Sequence, residues 1–148
     1  GFNAMLSTRI EKSFGIWSAE FTQDRTPAMT AMDRWIDWDK PDFIGKAAAV
    51  SERNGNGPEK IQVTLEIENG DADASGYEPI WSEAGDMIGF VTSGAFGHTV
   101  NKSLAMALIE PALASVGTHV MVHVVGVERR AKVIAPSPYD PKGMAMRM

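Results

Sequence analysis

Glu11 is the residue of this sequence with the clearest chemical interest. It stands in Thr8-Arg9-Ile10-Glu11-Lys12 among apolar neighbours. An isolated carboxylate there is expensive to bury unless something donates to it. The plainer reading pairs it with Arg9 or Lys12 on a solvated face. The other candidates are weaker. His119 and His123 are four apart in a run that alternates like a strand. They would face the same side roughly 13 Å apart, too far for a chelate. Ser93 follows a strand-like run in Thr92-Ser93-Gly94. It lacks the G-x-S-x-G context of a strained nucleophile. No Walker-type loop and no G-x-G-x-x-G fingerprint occurs. Gly89, Gly94 and Gly97 read as residues of turns or close strand contacts. Trp17, Trp35, Trp38 and Trp81 read as core or rim anchors, and the nine methionines as gap fillers. Taken alone, these residues name no reaction.

The elements that would carry them fall into two parts. Phe2 to Phe14 reads as helix, with Phe2, Met5, Leu6 and Ile10 on one stripe and Asn3 as a possible cap. Gly15 ends that pattern. Ser18 to Thr30 is polar and turn-rich, with Pro27 in it. A second helical stretch opens at Asp42, a suitable N-cap, and runs through Ala47, Ala48 and Ala49. Asn54-Gly55-Asn56-Gly57-Pro58 stops it. Beyond Pro58 the period changes from 3.6 to 2. Ile61, Val63, Leu65 and Ile67 share one face of a strand over Lys60 to Ile67. Pro79 to Trp81, Met87 to Thr92, Ser103 to Ile109, His119 to Val125 and Ala131 to Ala135 read as further strands, with a turn over Gly126 to Arg129. The prediction is an α+β chain: helix and loop over 1–57, then a small, closed or partly closed antiparallel β-barrel over 58–148. Closure would hide the edges of such short strands. The tail from Pro136 to Gly143 is too rich in proline for a strand interior.

Composition narrows the partners. The chain has 148 residues, 44% of them hydrophobic, no cysteine and a net charge of −5. Zero cysteines exclude disulfides, thiolate metal sites and a cysteine nucleophile. They fit a reducing compartment, and the chain is read as cytoplasmic. An acidic chain without a basic stripe is a poor binder of phosphate backbones, so nucleic acid is not an expected partner. An oligonucleotide-binding barrel is motivated only by the small barrel and its aromatics. No apolar run approaches the roughly 20 residues that cross a bilayer, so no membrane role is expected. The N-terminus is neither a signal peptide nor a Met start, so the chain is expected to open inside a helix of something larger.

The order of motifs then becomes informative. Ser7-Thr8-Arg9-Ile10-Glu11-Lys12-Ser13-Phe14-Gly15 resembles the S-x-R-x-E-K-x-[FY]-G segment of the aminomethyltransferase family, which comprises the glycine-cleavage T-protein and its relatives. Phe43-Ile44-Gly45-Lys46-Ala47-Ala48 resembles that family's F-I-G-[KR]-x-A helix start. Gly89 to Val100 resembles G-x-V-T-S-G-x-[FY]. Lys102 to Ala107, Gly126 to Ala131 and Pro138 to Gly143 follow in order. The finer resemblance is to the folate-binding portion of dimethylglycine and sarcosine dehydrogenases. It rests on Glu11 to Trp17, Tyr77 to Trp81, Glu128-Arg129-Arg130 and Tyr139-Asp140-Pro141. Lys12-Ser13 departs from the Ala-Gly of true T-proteins.

The resemblance implies tetrahydrofolate chemistry, with a one-carbon unit passed from a methylated or aminomethyl amine to folate N5. It implies that Glu11 holds the pterin, whose amino group and ring N–H lie side by side and suit one carboxylate. It places Lys40 near a second site, usually Arg, and Tyr139 at the folate entrance. It places 1–57 at the C-terminal edge of a folate-binding domain, with the catalytic acid upstream in the same parent chain. No catalytic residue is therefore assigned here, and this stretch alone is expected to be inactive. A dehydrogenase-like parent implies FAD on a separate N-terminal domain, and a stand-alone transferase implies none. The methyl donor is open among dimethylglycine, sarcosine, the glycine-derived aminomethyl group and a sulfonium. A non-catalytic folate-binding or interaction barrel of the same family is the alternative.

Overall fold

The computed structural model describes residues 1–68 and 70–147. Six strands form a closed barrel: β1 (Ile61–Ile67), β2 (Pro79–Trp81), β3 (Met87–Gly97), β4 (Lys102–Ile109), β5 (His119–Val124) and β6 (Val127–Ile134). The order around the barrel is β1-β4-β3-β2-β5-β6, and the pairing of β6 with β1 closes it. Every pairing is antiparallel. The predicted barrel and its antiparallel character therefore hold.

The interior is filled by one side-chain row of each strand. Val63, Leu65 and Ile67 come from β1, Val120, Val122 and Val124 from β5, and Ala131 and Val133 from β6. These are the residues that alternate in the sequence. β4 differs, because both of its faces are covered. Ala105, Ala107 and Ile109 point inward, while Leu104 and Met106 lie in a second cluster with Ile10. A strand buried on both faces reads as a continuous apolar run, as Ser103 to Ile109 does.

The cover on β4 is α1 (Phe2–Glu11), which packs on β3 and β4. Its buried face is Ser7, Ile10 and Glu11, spaced i, i+3, i+4. Of the apolar stripe expected from the sequence, only Ile10 is fully buried. Phe2 is 66% exposed and Met5 is also exposed. The helix docks through polar bonds instead: Ser7 Oγ donates to the Phe96 carbonyl at 2.6 Å. Gly97 makes the approach possible, since a Cβ there would lie 3.0 Å from Glu11 Cγ, Leu104 Cδ1 and Val100 Cγ2.

Three boundaries also differ from expectation. α1 ends at Glu11 rather than Phe14, because Ser13 takes a left-handed φ of 51°. α2 (Lys46–Asn54) begins after Gly45, at φ 89°, so Asp42 is not its cap. Asp42 Oδ1 instead accepts the N–H of Phe43. The β5–β6 turn is Val125-Gly126, not Gly126 to Arg129, and β6 starts at Val127. Both turn residues have positive φ, 50° and 75°. That is a two-residue hairpin turn matching the strand twist, with a β-branched residue where Asn or Gly is usual.

Two of the tryptophans are not core anchors. Trp17 and Trp35 are 74% and 76% exposed. Trp38 and Trp81 are half-buried, Trp38 under the Arg53 guanidinium and Trp81 against His123. Gly89 and Gly94 serve close backbone approach: an added Cβ would meet Leu108 O at 2.0 Å and Ala74 O at 2.3 Å. Among the described residues, no helix is long and apolar enough to cross a membrane.

Candidate functional site

Glu11 closes α1, and its side chain runs under the β3–β4 hairpin. Only 2% of the residue is exposed. Oε1 accepts the backbone N–H of Thr99 at 2.6 Å and of Val100 at 3.1 Å. No hydrogen bond among the described residues reaches Oε2. A carboxylate offers about four acceptor positions, so half of this one's capacity is committed to fixing it. Neither Arg9 nor Lys12 pairs with it. Arg9 turns to Glu20, and Lys12 turns to the C-terminal tail.

The tail brings Tyr139 to the same place. Its backbone N–H donates to the Glu11 carbonyl at 3.0 Å. The residue is 39% exposed, so its ring stays available at the surface. Glu11 and Tyr139, 128 positions apart, are therefore neighbours. Lys40 does not join them. It lies on the exposed loop ahead of α2, where its carbonyl accepts the Lys46 ammonium. No hydrogen bond or ion pair among the described residues connects it with Glu11 or Tyr139.

Glu20 is the residue that sequence reasoning missed. It is 1% exposed and stands at the centre of a donor cluster. Oε2 accepts from Ile16 N–H at 2.9 Å and from Arg9 at 3.2 Å. Oε1 accepts from the Thr92 hydroxyl at 2.7 Å and from the Ser93 hydroxyl. Consecutive strand residues normally face opposite sides. Here the β3–β4 register shifts between Val91 and Ser93, leaving Thr92 unpaired as a bulge. The bulge lets Thr92 and Ser93 reach one carboxylate. The Thr92-Ser93 pair within a strand was the one available signal, and nothing in the polar stretch around Glu20 answered it. This cluster ties the loop after α1 to the barrel wall.

A groove of about 810 Å³ has Ser13, Phe14, Met32, Arg34, Val133 and Pro136 among its walls, while Glu11, Glu20, Lys40 and Tyr139 do not line it. It lies between the end of α1, the loop at 30–34, and strands β1 and β6. Its volume is within the range of small-molecule sites. His119 and His123 are half-buried on β5. Among the described residues, no three or more His, Asp or Glu side chains gather as a metal site.

Known proteins share this architecture. Residues 60–140 match the family model described as the glycine cleavage T-protein C-terminal barrel domain. Dimethylglycine dehydrogenase, mitochondrial, of Rattus norvegicus is 34% identical over 135 residues, which are 90% of this chain and 16% of that protein. An aminomethyltransferase of Desulfitobacterium hafniense (strain DSM 10664 / DCB-2) is 32% identical over 143 residues, 97% of this chain and 38% of that protein. The crystal structure of the glycine cleavage system aminomethyltransferase T from Bartonella henselae superposes with a TM-score of 0.83 at 25% identity. That match covers 93% of this chain and 38% of the other. The chain thus spans well under half the length of these relatives.

Proposed function

The chain belongs to the glycine cleavage T-protein C-terminal barrel family, and from that premise we propose that it is the C-terminal part of a tetrahydrofolate-dependent aminomethyltransferase or demethylase. The parent would pass a one-carbon unit from an aminomethyl or N-methyl amine to folate. The observation that carries this reading is Glu11: a carboxylate anchored through Oε1 by two backbone amides, with no hydrogen bond to Oε2 among the described residues, on a residue whose carbonyl accepts the N–H of the half-exposed Tyr139. Two acceptor positions of one carboxylate suit the paired N–H donors of a pterin edge. Tyr139 lines the entrance. Lys40 is exposed and its ammonium has no ion pair among the described residues, so its charge is free to meet a folate carboxylate. When bound, tetrahydrofolate supplies the N5 that receives the carbon. Glu11 orients it, and the amides of Thr99 and Val100 hold Glu11.

No residue of this stretch is assigned a proton-transfer role, so the stretch alone is expected to be inactive. Segment 1–57 is read as the edge of the folate-binding domain. Its exposed apolar side chains, Phe2, Met5, Trp17, Trp35 and Ile44, are compatible with that reading. A dehydrogenase-like parent would add FAD on a separate domain.

Calorimetry on the full-length chain with 5-formyltetrahydrofolate, a stable folate, tests the reading. Glu11→Gln keeps an acceptor for Thr99 and Val100 but loses the charge. It should weaken binding by about 2–3 kcal/mol, roughly 30- to 150-fold. Unchanged affinity would remove Glu11 from the site.

A further inference from the structure

The C-terminal tail is fastened to the end of α1 by an unusually dense set of bonds. Ser137 Oγ donates to the Lys12 carbonyl at 2.7 Å, and Ser137 N–H donates to Ser13 Oγ at 2.8 Å. Ser13 Oγ also shares a hydrogen bond with Thr64 Oγ1 of β1 at 2.8 Å. The Lys12 ammonium donates to the carbonyl of Tyr139 at 3.3 Å and to that of Asp140. It also forms an ion pair with Asp140 Oδ2 at 3.8 Å. Both side chains of that pair are only 12% exposed. Asp140 in turn accepts the N–H groups of Met144 and Ala145.

The backbone bears the mark of this arrangement. Ser13, Ser137 and Asp140 all take left-handed φ values of 51°, 57° and 44°. Non-glycine residues adopt that region rarely, and only where surrounding bonds hold them there. An extended proline-rich tail would be free at the end of a barrel. Here every bond but that between Ser13 and Thr64 involves residues 137–140, the stretch that carries Tyr139.

We propose that Lys12 and Ser13 are positioning residues: they clamp residues 137–140 against the end of α1 and so fix the backbone that carries the Tyr139 ring, whose N–H meets the Glu11 carbonyl. The role rests on the reading that Glu11 and Tyr139 meet folate. Lys12 touches no ligand in this account. Its ammonium fixes the carbonyls of Tyr139 and Asp140, and Ser13 fixes the amide of Ser137. Loss of either lets the tail sample other positions, and the ring is then placed correctly only part of the time. Apparent affinity falls by the same fraction.

Two measurements test this on the full-length chain. The first is amide hydrogen exchange at Ser137 and Tyr139, read in wild type, Lys12→Ala and Ser13→Gly. Glycine suits the left-handed position, so the second variant keeps the fold even if the first does not. Exchange at Tyr139 should speed at least about tenfold in each. Unchanged exchange overturns the clamp, whatever the ligand. The second is a double-mutant cycle on 5-formyltetrahydrofolate affinity between Lys12→Ala and Tyr139→Ala. Lys12→Ala should weaken binding about tenfold when Tyr139 is present and by less than about twofold when it is absent. A purely structural role predicts additive effects, and additivity overturns the positioning role. Absence of folate binding in wild type overturns the functional reading and the positioning role with it. In that case the exchange experiment still judges the clamp by itself.

Discussion

Two buried carboxylates of the N-terminal segment have different tasks. Glu20 has its donors supplied from within the chain: an arginine, a backbone amide and two hydroxyls. Glu11 has two backbone amides on one oxygen and none on the other. The first is a structural tie, and the second keeps one oxygen without a hydrogen bond among the described residues. Glu20→Ala should therefore destabilise the chain by about 3–5 kcal/mol, because Arg9 loses its buried partner and two hydroxyls lose their acceptor. Urea denaturation checks this. A loss below about 1 kcal/mol would mean the cluster is not the tie it looks to be. The interest of Glu11 was legible from its apolar surroundings and from the motif around it. Its partners were not. Arg9 and Lys12, the near neighbours expected to pair with it, bind Glu20 and Asp140 instead. Local sequence carries no signal for a lysine that pairs 128 positions away.

Among the elements, the strands with one buried face were readable and the features that re-aim them were not. β1 and β5 alternate, and their bounds fall within one residue of the expected ones. β3 runs to Gly97, five residues past the expected end at Thr92. The bulge at Thr92 breaks the alternation there. The β5–β6 turn was misplaced because Val125 is a residue type that disfavours positive φ. α1 was recognised as a helix, and of its apolar stripe Ile10 is fully buried and Leu6 half-buried while Phe2 and Met5 are exposed. Its buried face is built from Ser7 and Glu11 bonding the barrel, with Ile10 as its one fully buried apolar side chain. The close passage of β3 over β4 makes a sharp prediction. Gly89→Ala sets a Cβ against the Leu108 carbonyl at 2.0 Å, at the end pair of the β3–β4 ladder. It should cost about 1–3 kcal/mol, seen as a lowered denaturation midpoint. An unchanged midpoint would show that the strands part without strain.

At the scale of the whole molecule, the barrel core is buried and large apolar side chains are exposed in both parts. Phe2, Met5, Phe14, Trp17, Trp35 and Ile44 are exposed ahead of the barrel, and Tyr77, Met87, Val116, Val125, Val127, Tyr139 and Met144 from the barrel onward. Under the proposed reading, in which the chain is the C-terminal part of a longer parent, Phe2 and Met5 on α1 would pack on further protein of that parent. Phe2→Lys combined with Met5→Glu should then behave differently in two settings. In the 148-residue chain it should change stability by no more than about 0.5 kcal/mol, as surface substitutions do. In the full-length chain it should cost about 2 kcal/mol or more, the burial value of the two side chains. Equal, negligible effects in both would show that the face has no partner in the parent.

The central claim is that Glu11 holds the pterin, and a crystal structure of the full-length chain with 5-formyltetrahydrofolate tests it most directly. The account predicts pterin nitrogens within about 3.2 Å of the Glu11 carboxylate, at hydrogen-bond distance, with Thr99 and Val100 still bound to Oε1 and the Tyr139 ring at the mouth of the site. A pterin seated elsewhere, with Glu11 satisfied by the β3–β4 hairpin alone, would contradict it.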